Sequence, residues 1–194
     1  MATIVLLALV SLTPVMAQAE VLDRIVAVID TTSIITLSDI RRERAIQTAL
    51  GSMPGSDDEV LNSLIERHLI NEQLAQFREI EVTEAEVNER LRAVTPPQGV
   101  SSAELRQAVI GELQRFEFLV QRFRQFIRVS DDEARQYYEK VLVPELRRMG
   151  RPVPPVEEGI ELVRPNVIAE KMNQEVNTWL AELRRRSNVE KITQ

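Results

Sequence analysis

Val21-Leu22-Asp23-Arg24-Ile25-Val26-Ala27-Val28-Ile29-Asp30-Thr31-Thr32-Ser33-Ile34-Ile35-Thr36-Leu37-Ser38-Asp39-Ile40 holds a β-branched run, a polar turn, a second apolar run and a helix start in quick succession. β-Branched residues fit strands, and a short polar break between two such runs reads as a hairpin. A two-stranded hairpin alone is only marginally stable in water, so this one needs a partner. The alternating segment Asn188-Val189-Glu190-Lys191-Ile192 offers one at the far end of the chain. The expected contact is a ladder between residues 25–29 or 34–36 and residues 189–192.

Between these ends the chain reads as helices. Four helix starts carry a capping box, in which a hydroxyl side chain and a carboxylate three positions later satisfy backbone donors that have no partner in the helix. They are Ser56/Glu59, Thr83/Glu86, Ser101/Glu104 and Ser130/Glu133. The expected helices cover residues 38–50, stopped by Gly51, then 57–78, then 83–95, closed by Pro96-Pro97, then 102–128, and a fifth from Asp131 to Val141 or beyond. Val109, Leu113, Phe116, Val120, Phe123 and Ile127 step by three and four along the fourth helix and predict one inward stripe. Pro144, Gly150, Pro152, Pro154 and Pro155 mark residues 142–162 as a linker. A further helix starts near Pro155, is interrupted at Pro165, and resumes with Ile168, Met172, Val176, Trp179, Leu180 and Leu183 on one side. Its end, Arg184-Arg185-Arg186, places cations at the negative pole of the helix dipole. The fold class expected is mainly α with a small sheet: an N-terminal helical domain over residues 20–141, the linker, and a C-terminal helix and strand over 163–194 that complete the core.

Residues 1–19 carry no charged side chain, and Ala17-Gln18-Ala19 gives a small-residue cleavage pattern before Glu20. This reads as a secretory signal peptide cleaved after Ala19. An uncleaved anchor is the alternative, but the apolar run is shorter than the roughly 20 residues a spanning helix needs, so no stable membrane insertion is expected. The net charge is −6, from 24 Lys and Arg against 30 Asp and Glu, and the charges are interspersed without a basic block. That pattern argues against nucleic acid as a partner. There is no cysteine, which excludes zinc–thiolate, cysteine-protease and thioredoxin chemistry and suits an oxidising compartment.

No catalytic constellation emerges. His68 is the single histidine and sits on an amphipathic helix, as a half-buried structural residue would. Asp57-Asp58-Glu59 and Asp131-Asp132-Glu133 fall in first helical turns, where carboxylates favour the helix dipole without any catalytic role. Gly111, Gly150 and Gly159 form no phosphate loop. Neither a metal nor another cofactor is expected, and the chain is not read as an enzyme.

The order of its motifs resembles a known family. Residues 23–29 followed by Ile34-Ile35-Thr36-Leu37-Ser38-Asp39-Ile40 are similar to the N-terminal signature of SurA-type periplasmic chaperones. So are Leu61-Asn62-Ser63-Leu64-Ile65-Glu66-Arg67-His68-Leu69-Ile70 and Ile80-Glu81-Val82-Thr83-Glu84-Ala85-Glu86-Val87. The long helix leading into Ile127-Arg128-Val129-Ser130-Asp131-Asp132-Glu133 fits too, as does Trp179-Leu180-Ala181-Glu182-Leu183-Arg184 with the terminal strand. Members of that family usually carry one or two parvulin-type prolyl isomerase domains, whose sites use paired histidines, before the C-terminal helix. Residues 142–162 are too few for such a domain, so the resemblance implies the chaperone core alone. It further implies ATP-independent holding of unfolded polypeptides in the periplasm, with outer-membrane β-barrel precursors as the main clients. The alternative is a non-catalytic assembly module that dimerises or docks on one envelope partner.

Candidate client-contacting residues are Ile110, Phe118, Leu119 and Phe126 on the fourth helix and Tyr137 and Tyr138 on the fifth. Phe118 projects about 160° away from Phe116 at about 100° per residue, so an inward Phe116 leaves Phe118 to pack under another element or to face a client. The numerous arginines, Arg41, Arg42, Arg44, Arg115 and Arg122 among them, read as a solvated surface or as a polar rim around an apolar groove.

Overall fold

Asp30 and Thr31 turn the chain with φ of 48° and 63°, the paired positive values that the tightest hairpin turns use. The Thr32 amide closes the turn on the Ile29 carbonyl at 3.2 Å. The computed structural model describes residues 23–77 and 80–192; the expected leader and its cleavage site lie outside them. Strand β1 (Ile25–Ile29) pairs antiparallel with β2 (Ser33–Thr36) on one side and with β3 (Val189–Lys191) on the other. β1 is therefore the central strand, and the expected end-to-end ladder runs through it: Ala27 faces Lys191, Val28 faces Glu190 and Ile29 faces Val189. Asp30 and Asn188 clamp the far end, the Asp30 amide donating to the Asn188 carbonyl and the Asn188 amide to Asp30 Oδ1. The register shifts between Ile25 and Ala27. This bulge breaks strict alternation, and the neighbours Val26 and Ala27 are both buried.

Thr36 ends the sheet and caps the next element. Its hydroxyl accepts from the Asp39 amide while the Asp39 carboxylate accepts from the Thr36 amide, a fifth capping box beside the four read from sequence, all of which form. Helices α1 (Leu37–Ala49) and α2 (Asp57–Ala75) pack on the sheet. Ile29, Ile35, Ile40, Leu61, Ile65 and Leu69 form the main core there, with Leu183 and Val189 returning from the C-terminus to close it. Helices α3 (Glu84–Leu91) and α4 (Ser102–Phe123) follow, and α4 ends in a tight turn over Arg124–Phe126.

Helix α4 buries Val109 and Phe123 of the expected stripe and half-buries Leu113 and Val120, but the stripe is not its whole buried surface. Its N-terminal half inserts Leu105 against Ile46 and Val100. Its C-terminal half inserts Phe118 against Ile70, Ile80, Leu74 and Trp179. Leu105 and Phe118 lie about 140° apart around the helix at about 100° per residue, so α4 buries a second face at Phe118 in addition to the one that carries Leu105, Val109 and Phe123. Phe116, expected inward, is 65% exposed, and Phe118 is fully buried.

Beyond α4 an antiparallel helical arm replaces the expected linker. Helix α5 (Asp131–Tyr137) continues through a wide turn over Tyr138–Leu142 into α6 (Val143–Arg148), and α7 (Val156–Arg186) runs back. The wide turn has a cause in Pro144. Proline has no amide to offer the carbonyl one turn back and its ring crowds that turn, and the Val143 amide reaches instead to the Tyr138 carbonyl, five residues back. Residues 142–162 are thus mostly helical, with only 149–155 as connection. The prolines that suggested a linker bend and bound the helices. α7 likewise runs unbroken through Pro165. That residue is exposed while Val163 and Val167 on either side are buried. Packing therefore holds both flanks, and water can reach the carbonyl that the proline leaves without a donor. Tyr138 is buried against Ala134, Ile160 and Val163 and donates its hydroxyl to the Pro154 carbonyl at 2.6 Å. Among the described residues no helix is long and apolar enough to cross a membrane.

Candidate functional site

Three helices turn one face each toward a common gap. From α1 come Asp39, Arg42, Glu43 and Ile46; from α2 come Leu64, Arg67, His68, Asn71 and Leu74. Both sets recur at three- and four-residue spacing, which defines one side of a helix. Helix α4 stands opposite and presents Ala103, Gln107, Ala108, Gly111, Gln114 and Arg115. Ala103, Ala108 and Gly111 have little or no side chain, and their shortness keeps α4 from filling the space. β2 borders the gap with Ser33, Ile34 and Ile35. The result is a cleft of about 850 Å³, within the roughly 300–1,000 Å³ range of ligand sites. Its apolar part is Ile29, Ile34, Ile35, Ile46, Leu64 and Leu74, and its polar part is rich in amides and guanidinium groups.

The charges in the cleft are unevenly matched. The Asp39 carboxylate is occupied by the Thr36 cap, and Glu104 by the Ser101 cap. Those cap bonds, side chain first, hold the Glu104 carboxyl below its ordinary value. Glu43 binds Arg67 and also accepts from Gln47. Arg42 reaches across from α1 to Glu104 at 3.9 Å, with both side chains half exposed, a distance and exposure that contribute little. Arg115 has no carboxylate within ion-pair distance among the described residues; its one hydrogen bond goes to Asn71 Oδ1 at 3.4 Å. Burial pushes its pKa down, and the nearby charge of Arg67 adds to that, against smaller opposing effects of Glu43 and Glu112. Arg67 and Arg115, with Glu43, Ile46 and Ala108, also border an adjoining cavity of about 360 Å³ that Arg90 and Glu112 line as well. The two arginines therefore stand at the junction of both spaces. Among the described residues His68 Nε2 is buried without a hydrogen-bond partner, with Glu72 Oε1 3.3 Å away.

None of the six residues expected from sequence borders this cleft. Phe118 is fully buried in an aromatic row, with ring centroids 5.2 Å from Phe77 and 6.1 Å from Trp179. Trp179 also contacts Phe123, and the Arg122 guanidinium lies over its face. Leu119 is half-buried beside that row and Ile110 is half-buried farther up α4. Phe126 is 67% exposed. Tyr138 is core, with its hydroxyl engaged, so it faces no client. Tyr137 is half-buried in the arm and borders a shallow hollow of about 320 Å³ with Val141 and Val167. Expectation followed aromatic side chains, whereas the cleft is made by small residues on α4 and polar ones on all three helices. Ala103, Ala108 and Gly111 were the signal in the sequence that pointed to it.

Among the described residues no group of histidines and carboxylates is placed to hold a metal. Comparisons with protein-family models, curated proteins and solved structures find no match to this chain.

Proposed function

We propose that this chain is an exported, non-catalytic chaperone of the periplasm that holds unfolded polypeptides, outer-membrane β-barrel precursors foremost, without nucleotide. The observation that carries the reading is the cleft between α1, α2 and α4, with its apolar part beside amide and guanidinium side chains. An extended polypeptide offers both matching features: apolar side chains on one face and backbone carbonyls that can accept from the Gln107 amide. Barrel precursors alternate apolar and polar residues along each strand, so one face of such a strand suits the isoleucine and leucine surface while the other stays in water. Promiscuous binders use adaptable surfaces in place of a single shaped pocket, and an open cleft with flexible polar side chains fits that requirement. The motif order that resembles SurA-type chaperones supports the same reading. Capture is reversible burial, and release is transfer to a lower-energy destination.

The test is titration of the chain against several urea-unfolded outer-membrane precursors and one folded soluble protein, with light scattering to follow precursor aggregation. Binding of the precursors with delayed aggregation, and none of the folded control, is expected. Failure to bind any precursor overturns the proposal. A peptidyl-prolyl isomerisation assay should show no rate above background; clear acceleration would overturn the non-catalytic part.

A further inference from the structure

The charge pattern of the cleft narrows what it holds. Every carboxylate bordering it has a partner on the protein, in a helix cap or on Arg67. Among the described residues, Arg115 is the arginine of the cleft that has no carboxylate within ion-pair distance. An arginine side chain carries five N–H donors in a planar fork and stays charged under all ordinary conditions. Here one of those donors meets a neutral amide oxygen at 3.4 Å. Glu43 and Glu112 act on Arg115 only from beyond ion-pair distance, and a half-buried cation gains from a closer counter-charge. The guanidinium lies back along α4 beside Gly111, where a β-carbon would stand 2.9 Å from Nη1, the mobile end of the side chain, and it borders the cleft there.

We propose that the cleft binds a carboxylate carried by an extended polypeptide and that Arg115 receives it. This rests on the reading of the cleft as a polypeptide site and adds to it a chemical preference. A guanidinium fork matches a carboxylate with two parallel hydrogen bonds. Ile34, Ile35 and Leu74 border the same cleft and would take the apolar side chains that precede or follow the acid. The carboxylate can be the chain's own C-terminus or an acidic side chain; the chemistry at Arg115 is the same.

The experiment is fluorescence anisotropy on the full chain with three labelled peptides of one extended apolar sequence. One ends in a free carboxylate, one is amidated, and one is amidated with a single internal glutamate. At low salt the wild type should bind one or both carboxylate peptides roughly tenfold more tightly than the neutral one, the gain expected for a charge-assisted pair. Which of the two is preferred identifies the source of the carboxylate. Arg115→Gln should bring the carboxylate peptides down to the affinity that the same variant has for the neutral peptide. Arg115→Lys should recover part of the difference. Circular dichroism and the melting temperature of Arg115→Gln check that it is folded. Equal binding of all three peptides by the wild type, or an undiminished preference in Arg115→Gln, overturns the assignment and leaves the cleft as a neutral polypeptide site. Binding of none overturns both.

Discussion

A β-carbon on Gly159 would stand 2.1 Å from Cε2 of Tyr138, so the two sides of the helical arm meet with backbone against ring. In an exposed helix Gly→Ala stabilises by up to about 1 kcal/mol. Here the added methyl has no room, and overpacking of this kind typically costs 1–3 kcal/mol, to order of magnitude. Gly159→Ala is expected to lower the urea midpoint, opposite in sign to helix propensity. Tyr138→Phe, which only removes the hydroxyl bond to Pro154, should cost about 1 kcal/mol. A gain in stability from Gly159→Ala would show that the helices are farther apart.

Phe116 and Phe118 separate surface from core within one turn of α4. Phe118→Ala removes a fully buried ring from the contact with Phe77 and Trp179 and should cost about 3–5 kcal/mol. Phe116→Ser, at an exposed site, should stay within about 0.5 kcal/mol of wild type. Thermal unfolding of the pair decides it. Equal losses would contradict the burial of α4 on the Phe118 side.

Acid should loosen the arm through one carboxylate. Lys171 Nζ binds Glu133 Oε1 at 2.6 Å and the Ser130 amide binds Oε2 at 2.8 Å. Led by the Lys171 bond, these contacts pull the Glu133 carboxyl from its ordinary 4.5 down to about 2. A depressed acid contributes stability that is present above its unfolded value and lost as pH falls through its folded one. The contribution is therefore complete above pH 4.5 and drains toward pH 2. Glu133→Gln should melt lower than wild type at pH 7, and the gap should close across that window. Other capping carboxylates, Glu59 and Glu86 among them, are also held low by their caps, but they act equally in both proteins. A gap independent of pH would remove Glu133 from the acid response.

β3 covers the second edge of β1, and Lys191 ties it to Asp58 on α2 at 2.6 Å. An uncovered edge strand is a template for pairing with other chains. Truncation after Ser187 should lower the melting temperature and raise the apparent mass in sedimentation. An unchanged, monodisperse truncated chain would mean that the sheet does not depend on its third strand.

The architecture was legible where local chemistry and global packing agree. The hairpin, the four capping boxes and the return of the Val189 strand to β1 all follow from residue type and period. Pro144 and Pro165 misled because proline reports a lost backbone bond and not the end of an element: at Pro144 a wider turn absorbs it, and at Pro165 buried Val163 and Val167 hold the helix through it. The stripe on α4 held at Val109 and Phe123 and failed at Phe116, because α2 and α7 also enclose the Phe118 side, information held in those partners and not in its own period. The cleft was not read because a gap is defined by what Ala103, Ala108 and Gly111 lack.

Unfolded polypeptide is proposed to lie between α4 and the α1–α2 pair. Site-specific photocross-linking measures this directly, with a photoreactive residue placed in turn at Gln107, which borders the cleft, and at Glu157, in the first turn of α7 on the arm. With an unfolded outer-membrane precursor, cross-linking should be strong at Gln107, weak at Glu157, and reduced at Gln107 by an unlabelled competitor. Absent cross-linking at Gln107, or equal yields at the two positions, would contradict it.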